Sequence, residues 1–198
     1  MTLTLVTAPT DLPLTYQELS EHLNLEGMDA EEPVVMDCLQ AAMANLEGVD
    51  GWLGRALLSQ TWDYKLDRFP NDGKIEIPLP PLRSITSVTY VDSLGATQTV
   101  SSSNYKIVGL GGTMPAYIMP VPNASWPGTA SPPDPVTIRF VCGYVNRQSV
   151  PLPIKHALKQ MVSDMYENRQ DLSLVRGSSL ATLKVADEML APYRIWNL

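Results

Sequence analysis

The chain has 198 residues, 44% of them hydrophobic, and a net charge of −7. That length suits one large domain, or one domain carrying an insertion. An aromatic share of 7% argues against a large aromatic-lined cofactor cavity, and an acidic chain is poorly equipped to grip phosphate backbones, which takes clusters of Lys and Arg.

The charge is unevenly spread. Residues 1–60 hold ten Asp/Glu and a single basic residue, Arg55, for a net −9, which leaves +2 for the rest. Such asymmetry marks either a solvated face or a surface set against something charged. No basic n-region followed by an apolar stretch opens the sequence, and no run approaches the roughly 18 apolar residues of a membrane span, so neither a signal peptide nor a spanning helix is expected. Cys38 and Cys142 both sit in apolar patterns and read as free thiols.

Pro13–Leu23 carries a helix start: Thr15 at the N-cap with Glu18 three residues on makes a capping box, and Leu14 with Leu19 a hydrophobic staple. A second helix begins around Glu31–Pro33, with Val35, Cys38, Leu39, Ala42, Met43 and Leu46 on one stripe. Gly48, Gly51 and Gly54 mark its end. From Leu58 the period changes to two, with Leu58, Trp62, Tyr64 and Leu66 on one side of a strand. Arg68–Lys74 is a turn. Ile75, Ile77 and Leu79 alternate again, and Pro78, Pro80 and Pro81 lack amide donors, which assigns this stretch to a sheet edge or corner. Ile85–Val91 and Ala96–Val100 flank a hairpin turn at Asp92–Gly95. Tyr105–Val108 and Tyr117–Met119 are short strands, Pro122–Pro135 is an ordered loop anchored by Trp126, and Val136–Cys142 is the last strand. After Val150–Pro153 the period returns to 3.6, with Ile154, Ala157, Leu158, Met161, Val162 and Met165 on one face. A final helix places Leu183, Ala186, Met189 and Leu190 together and ends at Pro192.

The expected fold is α+β: a helical body made from N- and C-terminal helix pairs, residues 1–56 and 151–198, with an inserted antiparallel β subdomain over residues 57–150. No motif for catalysis emerges. His22 and His156 have no His or Cys partner at helical spacing, so no metal site is expected. Gly109–Gly112 lacks the frame of a phosphate loop, and Arg176–Ser179 lacks the setting of a nucleophile elbow. The tail Pro192–Leu198, with Tyr193, Arg194 and Trp196, is either a docking segment or folded back on its own body.

The order of these stretches resembles a known family. "TAPTDLPLTYQELSEHLNL" and "LQAAMANLEGVDGWLGRALLSQTWDY" are followed by "IEIPLPPLRSITSVTYVDSLG", Tyr105, "VTIRFVCGY", "VPLPIKHALKQMVSDMYENR" and "LAPYR". Together they are similar to the head–tail connector (adaptor) proteins of long-tailed bacteriophages and gene transfer agents, in the version with a β insertion. "EGVDGWLGRAL" departs from the shorter glycine–arginine junction of that family. The resemblance implies a structural protein of the virion neck, at the head–tail junction, found in the host cytoplasm during assembly, with no enzymatic activity, cofactor or membrane partner. It implies a homo-oligomeric ring, commonly a dodecamer, below the portal protein and joined to a stopper or tail-completion protein. DNA would pass through its channel without specific binding. On that reading Glu18, Glu21, Glu31, Glu32, Asp37 and Glu47 are candidates to face the channel, where like charge keeps DNA mobile. Met189, Leu190, Tyr193, Arg194, Ile195 and Trp196 are candidates to dock on the portal. The alternatives are a stopper or tail-completion protein, or a small-molecule or carbohydrate-binding module.

Overall fold

A computed structural model describes residues 1–130, 133–168 and 188–195. The chain divides into two compact units, a β unit of Met1–Thr10 with Leu58–Tyr144 and a helical unit of Asp11–Leu57 with Val145–Leu198.

The β unit is built on two antiparallel sheets. Among the described residues eight strands are formed: β1 (Thr2–Thr7), β2 (Gln60–Leu66), β3 (Ile75–Ile77), β4 (Leu82–Val91), β5 (Thr97–Thr99), β6 (Tyr105–Val108), β7 (Ala116–Pro120) and β8 (Val136–Cys142). The larger sheet has the order β1-β2-β8-β4-β5 and the smaller β3-β7-β6. The alternation in β8 does what a period of two requires. Val136, Ile138, Phe140 and Cys142 are fully buried, while Arg139 between them is exposed. Burying each of Val136, Ile138 and Phe140 contributes about 1.5–3 kcal/mol, which favours a central place for β8 in the sheet. On its other face Arg139 forms a two-pronged ion pair with Asp63 of β2, 2.7 Å for each prong. The prolines fall where missing donors are tolerated: β3 is an edge strand, Ile75, Ile77 and Leu79 turn inward, and the Pro80–Pro81 bond is cis. Gly143 ends β8 at φ +92°, and a Cβ there would lie 1.9 Å from the carbonyl oxygen of Leu58, so only glycine fits.

The helical unit contains α1 (Tyr16–Leu23), α2 (Glu32–Leu46) and α3 (Leu152–Glu167). The capping box forms as the sequence requires. Thr15 Oγ1 accepts from Glu18 N at 3.1 Å, and Glu18 Oε2 accepts from Thr15 N at 2.9 Å. Leu14 and Leu19, the staple pair, are buried. α2 presents Val35, Leu39, Ala42, Met43 and Leu46 to the core, and α3 presents Ile154, Ala157, Leu158 and Val162. Residues 188–190 are helical; Leu183 and Ala186, expected on the same helix, lie outside the described residues.

Two expectations are corrected. The first ten residues were assigned to the helical body, but Thr2–Thr7 pairs with β2, Thr2 opposite Lys65. Its alternating Thr, Leu and Val suit a pleated strand, and its partner lies more than fifty residues on. Residues 145–150 were assigned to the β subdomain, but they belong to the helical unit, where Val150 is buried and Arg147 forms an ion pair with Asp11.

Candidate interaction surfaces

The acidic residues proposed for a channel do not share one environment. Glu21, Glu32 and Asp37 are exposed on α1 and α2. Glu18 is instead a structural post: it closes the capping box and accepts from Lys155 Nζ at 3.1 Å, tying α1 to α3. Burial alone would raise the Glu18 carboxyl, but the Thr15 hydrogen bonds and the Lys155 ammonium outweigh it and hold it below its ordinary value. Glu31 accepts from the Tyr166 hydroxyl at 2.9 Å, and Glu47, just past α2, accepts from Leu57 N at 2.7 Å. Glu18 and Glu47 are thus held by the fold itself.

The C-terminal segment folds back on its own unit. Arg55, the lone cation of the first sixty residues, is only 1% exposed. Its Nε donates to the carbonyl of Tyr193 at 2.6 Å, and its guanidinium lies 5.8 Å from the centre of the Tyr193 ring. Ile195 N–H donates to the Leu53 carbonyl at 2.9 Å, and the Arg194 guanidinium covers the ring of Trp52 at 4.6 Å. Gly54, at φ +64°, lets the chain pass beneath Ile195, whose Cβ and carbonyl oxygen would be 3.3 Å from a side chain there. Of the docking candidates, Leu190 is a core residue, 1% exposed, because it faces into the unit. Met189, Tyr193, Arg194 and Ile195 are half-buried, and Trp196 lies outside the described residues.

A third surface lies at the end of the β unit away from Leu58 and Tyr144. Phe69, just after β2, stacks face to face on Trp126 with ring centres 4.8 Å apart. Trp126 Nε1 donates to the Gly73 carbonyl at 2.8 Å, fixing the indole. These rings, with Pro70, Pro120 and Pro127, line an open cleft of about 550 Å³ whose rim carries Arg68. At the same end the β4–β5 hairpin projects Leu94, 92% exposed. The Asp92 carboxylate accepts from Gln98 Nε2, from Ala96 N and from Leu94 N, at 3.0, 3.0 and 2.9 Å. Those bonds, the one from Gln98 foremost, hold its carboxyl below the ordinary range. The sequence marks the turn and the Trp126 anchor, but neither the cleft nor the bare leucine.

The two histidines, which lack a His or Cys at helical spacing, meet across α1 and α3 with ring centres 6.5 Å apart. Burial, then Lys159 and His156, lowers the pKa of His22. Among the described residues no group of three or more His, Cys, Asp or Glu is placed to hold a metal, and no helix is long and apolar enough to cross a membrane. Cys142 is buried and Cys38 half-buried, and neither forms a disulfide among the described residues.

No family profile and no curated protein matches the sequence. Solved structures share its fold along the whole chain. One is a chain in the neck of the empty GTA particle computed with C6 symmetry, with a TM-score of 0.80 and 23% identity over all of this chain and 97% of that one. Others are a chain in the virion of the native gene transfer agent (TM-score 0.76, 22% identity) and one in the neck of the native particle computed with C12 symmetry (TM-score 0.75, 21% identity), each again covering all of this chain and 97% of the other.

Proposed function

We propose that the chain is a structural subunit of a virion neck, a head–tail connector that forms a ring below the portal and leaves a channel for DNA. The observation that carries this reading is the end-to-end likeness to a chain of gene-transfer-agent necks, over all of this chain and 97% of the other. A head-to-tail contact with a closing rotation makes a ring from one kind of chain. Twelve copies is the number this reading favours. Its work is done by surfaces, with no bond made or broken.

Within the ring, exposed Glu21, Glu32 and Asp37 would face the channel, where they repel phosphate and keep DNA mobile. The segment 188–195 would stand at the portal side, presenting Met189, Tyr193 and Arg194, and the stopper or tail-completion protein would meet the opposite side. Imaging the purified chain mixed with its portal tests the reading. Rings of this chain stacked on the portal are expected; its localisation in the particle anywhere other than the neck would overturn it.

A further inference from the structure

The outer edge of β1 is an open template for a further strand, and we propose that two copies of this chain join there, β1 against β1, antiparallel across a two-fold axis. β1 is an edge strand of the larger sheet: β2 pairs with one side of it, and among the described residues no strand pairs with the other. Its residues are exposed apart from Leu3, which is half-buried. Such an edge presents a row of unpaired N–H and C=O groups, and their complement is the backbone of another strand. Sheet proteins guard an open edge with Lys, Pro or an inward-pointing charge. Residues 1–10 carry no charge, and their one proline, Pro9, lies outside the strand. The register is irregular only between Leu5 and Thr7, where Val6 has no partner on β2, which leaves Thr2–Leu5 as a regular edge.

The strand is complementary to itself, which is what makes a second copy the occupant. Setting Thr4 opposite Thr4 of the second copy sets Leu3 opposite its Leu5, so threonine meets threonine on one face and leucine meets leucine on the other. Within one chain Leu5 stands opposite Trp62 and Leu3 opposite Tyr64. Leu5 is 44% exposed, and Trp62 and Tyr64 are half-buried. The two-fold axis joins them into one apolar row, Trp62 and Leu5 continuing into Leu3 and Tyr64 of the second copy, and takes from water side chains that a lone chain leaves open. On the other face, the Asp63 opposite each Thr4 is already matched by Arg139 of its own chain. Two chains of net negative charge therefore approach here without like charges meeting. The sheet's other edge, β5, is a poorer complement. It spans only Thr97–Thr99 and, with every neighbouring pair antiparallel, runs in the same direction as β1. A copy continuing the sheet in the same sense would offer β1 a shorter, parallel pairing, the less stable kind. The two-fold contact is closed at two copies. It belongs to the free chain, is separate from the head-to-tail contact of a ring, and does not rest on the ring reading.

Sedimentation velocity of the purified chain, without portal and over a range of concentrations, tests the contact. A monomer–dimer equilibrium is expected, of the weak class because the paired edge is short. Leu5→Lys puts an ammonium opposite Leu3 of the second copy and is expected to weaken the dimer about tenfold or more, while Leu5→Val, which keeps the edge apolar, dimerises as the wild type does. Circular dichroism checks that Leu5→Lys is folded. A second variant does not depend on that outcome. In a Cys38→Ser background, Thr4→Cys is expected to cross-link to itself on oxidation, since Cα atoms directly opposite in an antiparallel pair lie about 4.5–5.5 Å apart, within the reach of a disulfide. Lys106→Cys, exposed on β6 of the smaller sheet, is expected to stay uncross-linked. A chain that is monomeric at every concentration would overturn the proposal and leave the edge to a strand of a different protein. A dimer that folded Leu5→Lys leaves intact, or Thr4→Cys dimers that oxidation does not link, would overturn β1 as the place where the copies meet.

Discussion

Replacing Glu18 separates a structural role from a channel role. Thr15 and Glu18 satisfy each other's backbone amides, and Glu18 also receives Lys155. Thr15→Ala removes one N-cap bond, worth about 1 kcal/mol. Glu18→Ala removes the reciprocal backbone bond, about 1 kcal/mol, and the pair with Lys155. Because the Glu18 side chain is 34% exposed and that of Lys155 13%, solvent screening holds that pair to roughly 0.5–1 kcal/mol. The total, about 1.5–2 kcal/mol, lowers the midpoint of thermal unfolding by roughly 3–8 °C in a chain of this length. Far-UV circular dichroism on the two single variants and the double variant completes the cycle. Because neither half of the box works alone, the pair is expected to be non-additive by about 0.5 kcal/mol or more. Glu18→Gln keeps a capping side chain and removes only the charge, so it isolates the pH term. The folded carboxyl titrates below its ordinary value of 4.5. Its contribution is therefore fully present above that value and is lost as pH falls through the depressed one. The advantage of wild type over Glu18→Gln should shrink from about pH 5 downward and vanish in stronger acid. A Glu18→Ala midpoint within about 1 °C of wild type, with altered DNA passage, would refute the structural assignment and return Glu18 to the channel.

Gly143→Ala is expected to cost on the order of 3 kcal/mol or more, because its Cβ would collide with backbone at Leu58; a soluble variant with an unchanged melting curve would contradict the close approach of Gly143 to Leu58. Gly54→Ala combines a left-handed backbone costing about 1–2 kcal/mol with crowding against Ile195, and faster hydrogen exchange at Ile195 N–H would report the loosened tail. Deleting Tyr193–Leu198 removes one acceptor of the buried Arg55, a charged hydrogen bond worth about 1.5–3 kcal/mol, so urea unfolding should shift before any portal assay is interpreted. Reversing Glu21, Glu32 and Asp37 to Lys should slow DNA passage in a manner relieved by salt; ejection rates equal to wild type would remove these residues from the channel.

What the sequence discloses follows the range of the interactions. The capping box at Thr15 and Glu18, the stripe on α2 and the alternation of β8 are local patterns, and each is present where the spacing implies. β1 was missed because "TLTLVT" becomes a strand only through β2, whose Lys65 lies opposite Thr2. The seam between His22 and His156 likewise spans two helices far apart in sequence. Arg55 did leave a trace: a single cation among ten carboxylates is conspicuous, but one of its partners, Tyr193, lies 138 residues on. The Asp92–Gly95 turn was legible, yet nothing local says that Leu94 stays bare or that Phe69 joins Trp126.

The position of β8 has a consequence for biosynthesis. It sits between β2 and β4, yet a ribosome emits it after every other strand of both sheets. Until residue 142 has emerged, the earlier strands wait as two unconnected ribbons, β1-β2 and β4-β5, with bare inner edges open to stray pairing. The sheet therefore closes in one late step, and a nascent chain stalled before Val136 is the species that chaperones must shield.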